Sequence, residues 1–134
     1  MVVFLIVLFW LYNIFGVDIS IRLNFNISIP VVDKKVYSFS DGGRDAYYYR
    51  VVKYNDYKIK RIKKFKWQEF LGYDSGKIKD LLSYLKEYKI SKKYYPVVDD
   101  DTLCFMKTFD DKGDYLLMIY NPSIKTVYIY KYHI

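Results

Sequence analysis

At Val17 the sequence changes its period, and that change constrains the fold more than any other feature. Met1 to Val17 carries no charged side chain. Val2 to Leu11 is an unbroken apolar run, and Ile14 to Val17 continues it past Asn13. From Val17 to Ile29 the pattern becomes strict alternation: Val17, Ile19, Ile21, Leu23, Phe25, Ile27 and Ile29 against Asp18, Ser20, Arg22, Asn24, Asn26 and Ser28. A period of two puts all the apolar residues on one face of a β-strand, whereas a helix would scatter them round its surface. Pro30 removes a ladder donor and ends the strand.

The uncharged segment sits at the lower limit of a membrane span, which needs roughly 17 to 25 residues of helix. A cleaved signal peptide has a basic start and a small-residue cleavage site, and neither is written here. No Cys near the segment's end would accept a lipoprotein anchor. The expectation is an uncleaved anchor over 1–17, followed by one domain over 18–134. Two other readings stay open: a buried apolar element of a soluble domain, and a signal whose basic start is lost through a misplaced start codon. Few basic residues flank the segment, only Arg22 closely and Lys34 and Lys35 at the margin, so the positive-inside rule leaves orientation open.

Composition sets further bounds. A chain of 134 residues holds one domain and hardly two. Its 52% apolar content excludes a disordered chain, and one Cys excludes a disulfide framework or a cysteine zinc site. One His removes multi-histidine metal sites and most histidine catalysis. The net charge of +7 is weak evidence for an anionic partner. Lys, Tyr, Ile, Asn and Asp are abundant while Ala and Pro are scarce, the profile that AT-rich codons impose.

Val36 to Phe39 reads as a short strand and Ala46 to Tyr54 as the next, joined by Ser40-Asp41-Gly42-Gly43-Arg44-Asp45. The paired glycines supply the positive φ of a tight hairpin turn. No Gly-x-Gly-x-x-Gly or Gly-Lys-Ser/Thr is present to make this a phosphate loop. Ser38, Phe39, Gly43 and Asp45, with Tyr48, Val51 and Tyr54 behind them, resemble a pattern in small uncharacterised proteins of low-GC Gram-positive bacteria. Those proteins place a hydrophobic leader before a strand and a Ser-Phe-His-Gly-Asp/Glu-Gly loop. A Tyr-rich strand, a Trp-containing stretch, a helix and terminal strands follow. The order of Trp67, a helix near 77–90 and the last strands here is similar. Ser40 stands where that pattern has His, and Asp41-Gly42 where it has Gly-Asp/Glu, so a role for an imidazole is not carried over. The resemblance implies an α+β fold and an amino end inside with the domain outside the cell, and no activity.

Residues 34–66 hold eleven basic and three acidic side chains. Lys58, Lys60, Arg61, Lys63, Lys64 and Lys66 are interleaved with Tyr57, Phe65 and Trp67. Three readings compete. The lysines form a solvated face, with Tyr57, Ile59, Ile62, Phe65 and Trp67 inward. Alternatively, Lys58, Lys60, Arg61, Lys63, Lys64, Lys66 and Trp67 bind an anionic surface, lipid or wall polymer. Thirdly, 53–67 is a single-stranded nucleic-acid groove, and that reading ranks last. The spacing fits a strand into Ile59 and a helix from Ile62 equally well.

Asp74 and Ser75 are candidate N-caps for a helix over Lys77–Lys89, whose apolar stripe is Ile78, Leu81, Leu82, Leu85 and Tyr88. A meander follows: strands over Thr102–Phe109, Tyr115–Tyr120 and Thr126–Tyr132, with turns at Asp110–Asp114 and Asn121-Pro122-Ser123. Residues 99–114 carry six acids and two bases. Neither Asp run has the alternate-position ligands and closing Glu of a calcium loop. Cys104 and His133 are the only candidates for thiol or imidazole chemistry, and nothing in their spacing orients one towards the other.

The chain is therefore expected to be α+β: an N-terminal hydrophobic segment, then a mainly antiparallel sheet of about six strands with one packed amphipathic helix. The loop residues Ser38, Phe39, Gly42, Gly43 and Asp45 mark the hairpin. The functional expectation is a membrane-anchored, extracytoplasmic, non-catalytic binding or structural domain. No cofactor and no metal are expected; the expected partners are the membrane through 1–17, an anionic lipid or wall polymer, and a protein. The alternatives are a toxin-immunity or phage-defence partner, and a basic nucleic-acid-binding domain using 53–67. The ligand, the oligomeric state and the side of the membrane are not written in the sequence.

Overall fold

The chain begins with α1 (Val2–Phe15). A hairpin of β1 (Lys34–Ser40) and β2 (Ala46–Lys53) is followed by α2 (Asp56–Lys63), β3 (Gln68–Glu69) and α3 (Gly76–Glu87). One 3-10 turn, Lys92–Tyr94, leads to β4 (Leu103–Phe109) and β5 (Asp114–Asn121), and a second, Pro122–Ile124, leads to β6 (Thr126–His133). These elements come from a computed structural model that describes residues 1–15, 34–40, 46–70, 76–109 and 114–133. The alternating segment Val17–Ile29, the loop residues Gly42, Gly43 and Asp45, and the caps Asp74 and Ser75 lie outside them.

The six strands form one sheet in the order β1-β2-β6-β5-β4-β3, and every neighbouring pair is antiparallel. The fold is α+β, as the strand and helix patterns require. β6 is the last strand in the chain, yet it lies between β2 and β5 near the middle of the sheet.

Leu116 to Tyr120 is the clearest physical statement in the domain, because five consecutive residues of β5 are buried. Successive side chains point to opposite faces, so an unbroken buried run requires cover on both. On one face Leu116, Met118 and Tyr120 pack with Val52, Val127 and Ile129 beneath Ile59 and Ile62 of α2. On the other, Leu117 and Ile119 pack with Tyr49, Val51, Tyr128 and Tyr130 beneath Ile78, Leu81, Tyr84 and Leu85 of α3. Burying each such aliphatic side chain contributes about 1.5–3 kcal/mol.

The two helices are built differently. α3 carries the 3.6-residue stripe, but Tyr84 is buried where the sequence pattern ends the stripe on Tyr88, which is exposed. The helix has already ended there. Lys89 adopts φ 53°, and the Lys89 and Ile90 amides donate to the Lys86 and Leu85 carbonyls. This is a Schellman closure, in which buried Ile90 packs back into the core beside Leu85. α2 begins at Asn55, whose side chain accepts from the Lys58 amide at 2.9 Å. At its far end the Trp67 indole donates to the Ile62 carbonyl at 2.7 Å, which also accepts from the Phe65 amide at 3.1 Å. The segment left open between strand and helix is thus helical through both Ile59 and Ile62.

Aromatic contacts tie the Lys92–Tyr94 turn to the α3 face. The Tyr49 hydroxyl donates to the Tyr94 carbonyl, and Tyr37 stacks on Tyr94 with ring centres 4.1 Å apart. Burial, helped by neighbouring tyrosines, pushes the Tyr49 phenol far above its ordinary value, so it stays a neutral donor.

Ile62→Ala and Leu85→Ala should each destabilise the domain by about 2–5 kcal/mol in urea unfolding. Because the sheet separates the two sites, the double variant should match the sum within roughly 0.5 kcal/mol. Lys89→Gly should raise stability by about 1 kcal/mol, because glycine adopts the left-handed position without a Cβ clash.

Candidate functional site

The basic stretch takes its shape from α2. Ile59 and Ile62 are the residues that must face the sheet, so the side chains between them turn away. Lys60, Lys63, Lys64 and Lys66 are exposed and Arg61 is half-buried. Lys60, Arg61 and Lys63 fall in the last turn, where positive charge complements the carboxyl end of the helix dipole. Tyr57 lies outward beside them, 55% exposed, although the amphipathic reading points it inward.

Two of the sequence-picked residues are placed elsewhere. Lys58 is only 4% exposed and belongs to the buried side of α2. Trp67 is half-buried, with its ring centre 5.3 Å from those of Phe65 and Tyr120. Its nitrogen is engaged with Ile62. The outward surface of the stretch is thus Tyr57, Lys60, Arg61, Lys63, Lys64 and Lys66. Asp56, the acid of the first turn, forms an ion pair with Lys125 of the β5–β6 connection. The hydrogen bond from Lys125 holds the Asp56 carboxyl below its usual range.

In the loop motif, Ser38 is exposed and Phe39 half-buried on β1. Phe39 packs edge-on to Tyr84 at 6.1 Å between centres, so it serves the α3 face.

The acidic segment uses one of its own carboxylates. Asp99 accepts from the Asp101 amide at 3.0 Å and the Thr102 hydroxyl at 3.2 Å. Hydrogen bonds, from Ser123 first and also from Asp101, Thr102 and Asn121, hold its carboxyl below the ordinary value against a smaller opposing effect of desolvation. Asn121 reaches across to donate to the Val97 carbonyl at 2.8 Å, fastening this turn to β5. Among the described residues, no group of three or more His, Cys, Asp or Glu side chains is arranged to hold a metal ion.

Cys104 and His133 are separated by the sheet itself. Cys104 pairs with Ile119, which pairs with Tyr128 on β6. His133 lies five positions further along that strand, roughly 16 Å at the rise of a β-strand. The Cys104 thiol donates to the Glu69 carbonyl at 3.3 Å, and burial pushes its pKa up, away from the reactive thiolate.

One constellation had no sequence signal. Tyr48 and Arg50, alternate residues of β2, meet Lys131 of β6 on the α2 side of the sheet. The Arg50 guanidinium carbon lies 4.6 Å and the Lys131 Nζ 5.0 Å from the Tyr48 ring centre. Only the β2–β6 pairing brings them together.

No family model matches the chain, and no curated protein or solved structure is significantly similar to it.

The depressed carboxyls of Asp56 and Asp99 set a pH dependence. Each contributes stability that is present above its unfolded value near 3.8 and lost as pH falls through its lower folded value. Asp99→Asn should therefore flatten the loss of urea stability below pH 4 relative to the wild type. The effect should be small, because both side chains are solvent-exposed.

Proposed function

We propose that this chain is a membrane-anchored, extracytoplasmic, non-catalytic domain that binds an anionic surface, held by α1 and presenting the outward side of α2. The observation that carries the reading is α1. Its residues are apolar and uncharged from Val2 to Leu11, and Met1 to Phe9 are all exposed, between 45% and 99%. A helix that is apolar all round needs an apolar environment to face on every side. At 14 residues it spans about 21 Å at the α-helical rise. No helix among the described residues is long and apolar enough to cross a membrane. In this reading α1 inserts into the membrane. The placement outside rests on the resemblance to leader-bearing Gram-positive proteins.

The outward residues of α2 support the binding half of the proposal. Lysines and an arginine at a membrane surface each contribute about 1 kcal/mol of attraction to anionic lipid. The exposed Tyr57 ring suits an interface that is polar on one side and apolar on the other.

Fractionation with protease treatment of protoplasts tests the anchor. The chain should sediment with membranes, resist extraction by salt, dissolve in detergent and be digested from outside. Recovery in the soluble, protease-protected fraction would overturn both anchor and orientation. For the surface, Lys60→Gln/Lys63→Gln/Lys64→Gln in a chain lacking residues 1–17 should weaken binding to phosphatidylglycerol vesicles by roughly 100-fold at low salt. Wild-type binding that ignores salt would remove the electrostatic half of the reading.

A further inference from the structure

The ten residues from Lys92 to Asp101 carry their charges in an order that reverses about the segment's own centre. Lys92 and Lys93 open it, Asp100 and Asp101 close it, and the apolar run Tyr94 to Val98 lies between, followed by Asp99. Laid antiparallel on a second copy about the Pro96–Val97 bond, Lys92 falls opposite Asp101 and Lys93 opposite Asp100, each pair occurring twice. A segment of this kind is complementary to itself under a two-fold axis, which is what an isologous contact requires.

The fold presents these groups at the surface and fixes them there. Lys92, Lys93, Asp100 and Asp101 are all exposed, and Val97, at the centre, is 52% exposed. At the lysine end the Tyr94 carbonyl accepts from the Tyr49 hydroxyl and the Tyr94 ring stacks on Tyr37. Beyond the centre, Asn121 donates to the Val97 carbonyl, and the Asp99 carboxylate accepts from the Asp101 amide and the Thr102 hydroxyl. The lysine end is thus tied to β1 and β2 and the other half to β5, with β6 between them in the sheet. This fixed span keeps the lysines and aspartates of one copy apart. Among the described residues, none of the four side chains forms an ion pair. Lys93 Nζ lies 4.9 Å from the Tyr94 ring centre, a contact without a counter-charge. Asp99 is engaged in its own turn, so the acidic end offers Asp100 and Asp101.

We propose that Lys92–Asp101 is a contact between two copies of this chain. They pair antiparallel across a two-fold axis at Pro96 and Val97, with Lys92 against Asp101 of the partner subunit and Lys93 against Asp100 of the partner subunit. An anionic surface would attract the lysines and be repelled by the aspartates of the same segment, whereas a second copy satisfies all four. The two exposed Val97 side chains meet at the axis and remove apolar surface from water. Ten residues a side is fewer than the roughly 20–30 of a standard interface, and exposed ion pairs are screened by salt. The dimer is therefore weak, reversible and salt-sensitive. Tyr94 and Tyr95 anchor the segment on the α3 side of the sheet, so the contact does not rest on the α2 surface or on the membrane reading.

Sedimentation velocity of the full chain in an uncharged detergent, over a concentration series, is the test. A monomer–dimer equilibrium without larger species is expected, its dissociation constant rising roughly tenfold from low to high salt. Lys92→Asp/Lys93→Asp and Asp100→Lys/Asp101→Lys should each weaken dimerisation by roughly tenfold or more, because every pair becomes like-charged. Mixing the two variants, or combining all four substitutions in one chain, should restore the wild-type constant within about threefold. Thermal unfolding checks each variant, and where one double variant fails to fold the other decides alone. A chain that stays monomeric at every concentration and salt overturns the proposal. So does a dimer that the folded double variants retain, because α1 or another surface would then make it. Polymers larger than dimers also overturn it, since a head-to-tail contact does not close. Loss in the lysine variant with none in the aspartate variant overturns it as well, because the acids opposite Lys92 and Lys93 would then lie elsewhere in the chain.

Discussion

Everything in this domain depends on burying both faces of its two central strands. β5 is buried without interruption from Leu116 to Tyr120, and β6 from Val127 to Lys131. Such strands cannot lie on a one-sided sheet, because alternate residues would be left facing water. Two helices on opposite faces are the consequence, and their lengths follow from what each must cover. α3 carries a four-residue apolar stripe over a wide tyrosine-rich surface. α2 needs only Ile59 and Ile62, because Phe65, Trp67, Leu103 and Phe105 complete the same cluster.

That constraint also decides where charged side chains can sit. With the centre of the sheet sealed, polar and charged groups collect on the outer side of α2 and at the sheet end beyond it. At the outer side the basic residues project because the isoleucines cannot. At the sheet end, Lys131 interrupts the apolar sequence of β6 beside Tyr48 and Arg50. The acidic segment behaves differently: Asp99 turns its carboxylate onto nearby amides and hydroxyls, so its negative charge builds a turn.

Much of the architecture was legible. The hairpin, the terminal meander and the α3 stripe could be read directly, since each depends on residues at most four apart. The second helix was harder, because eight residues with two isoleucines give little periodicity. Its signal lay in Asn55, an N-cap three positions before the Lys58 amide it accepts from. Two-sided burial was also written in plain view: Leu116 to Tyr120 is a continuous apolar run, which suits a covered strand and not an alternating one. Lys58 and Trp67 were placed on the basic surface by composition. Helical phase buries the first, and the hydrogen bond to Ile62 turns the second inward.

What the sequence determined by itself was local: an uncharged segment changing at Val17 to strict alternation, strand periods, helix stripes and turns. These follow from backbone geometry acting over a few residues. Only the tertiary structure decided that β6 enters between β2 and β5, which helix closes each face of the sheet, and that Arg50 and Lys131 converge on Tyr48. Those outcomes require residues at distant positions in the chain to share a row. Shared burial and cross-strand pairing select that arrangement, and no short window of sequence contains either.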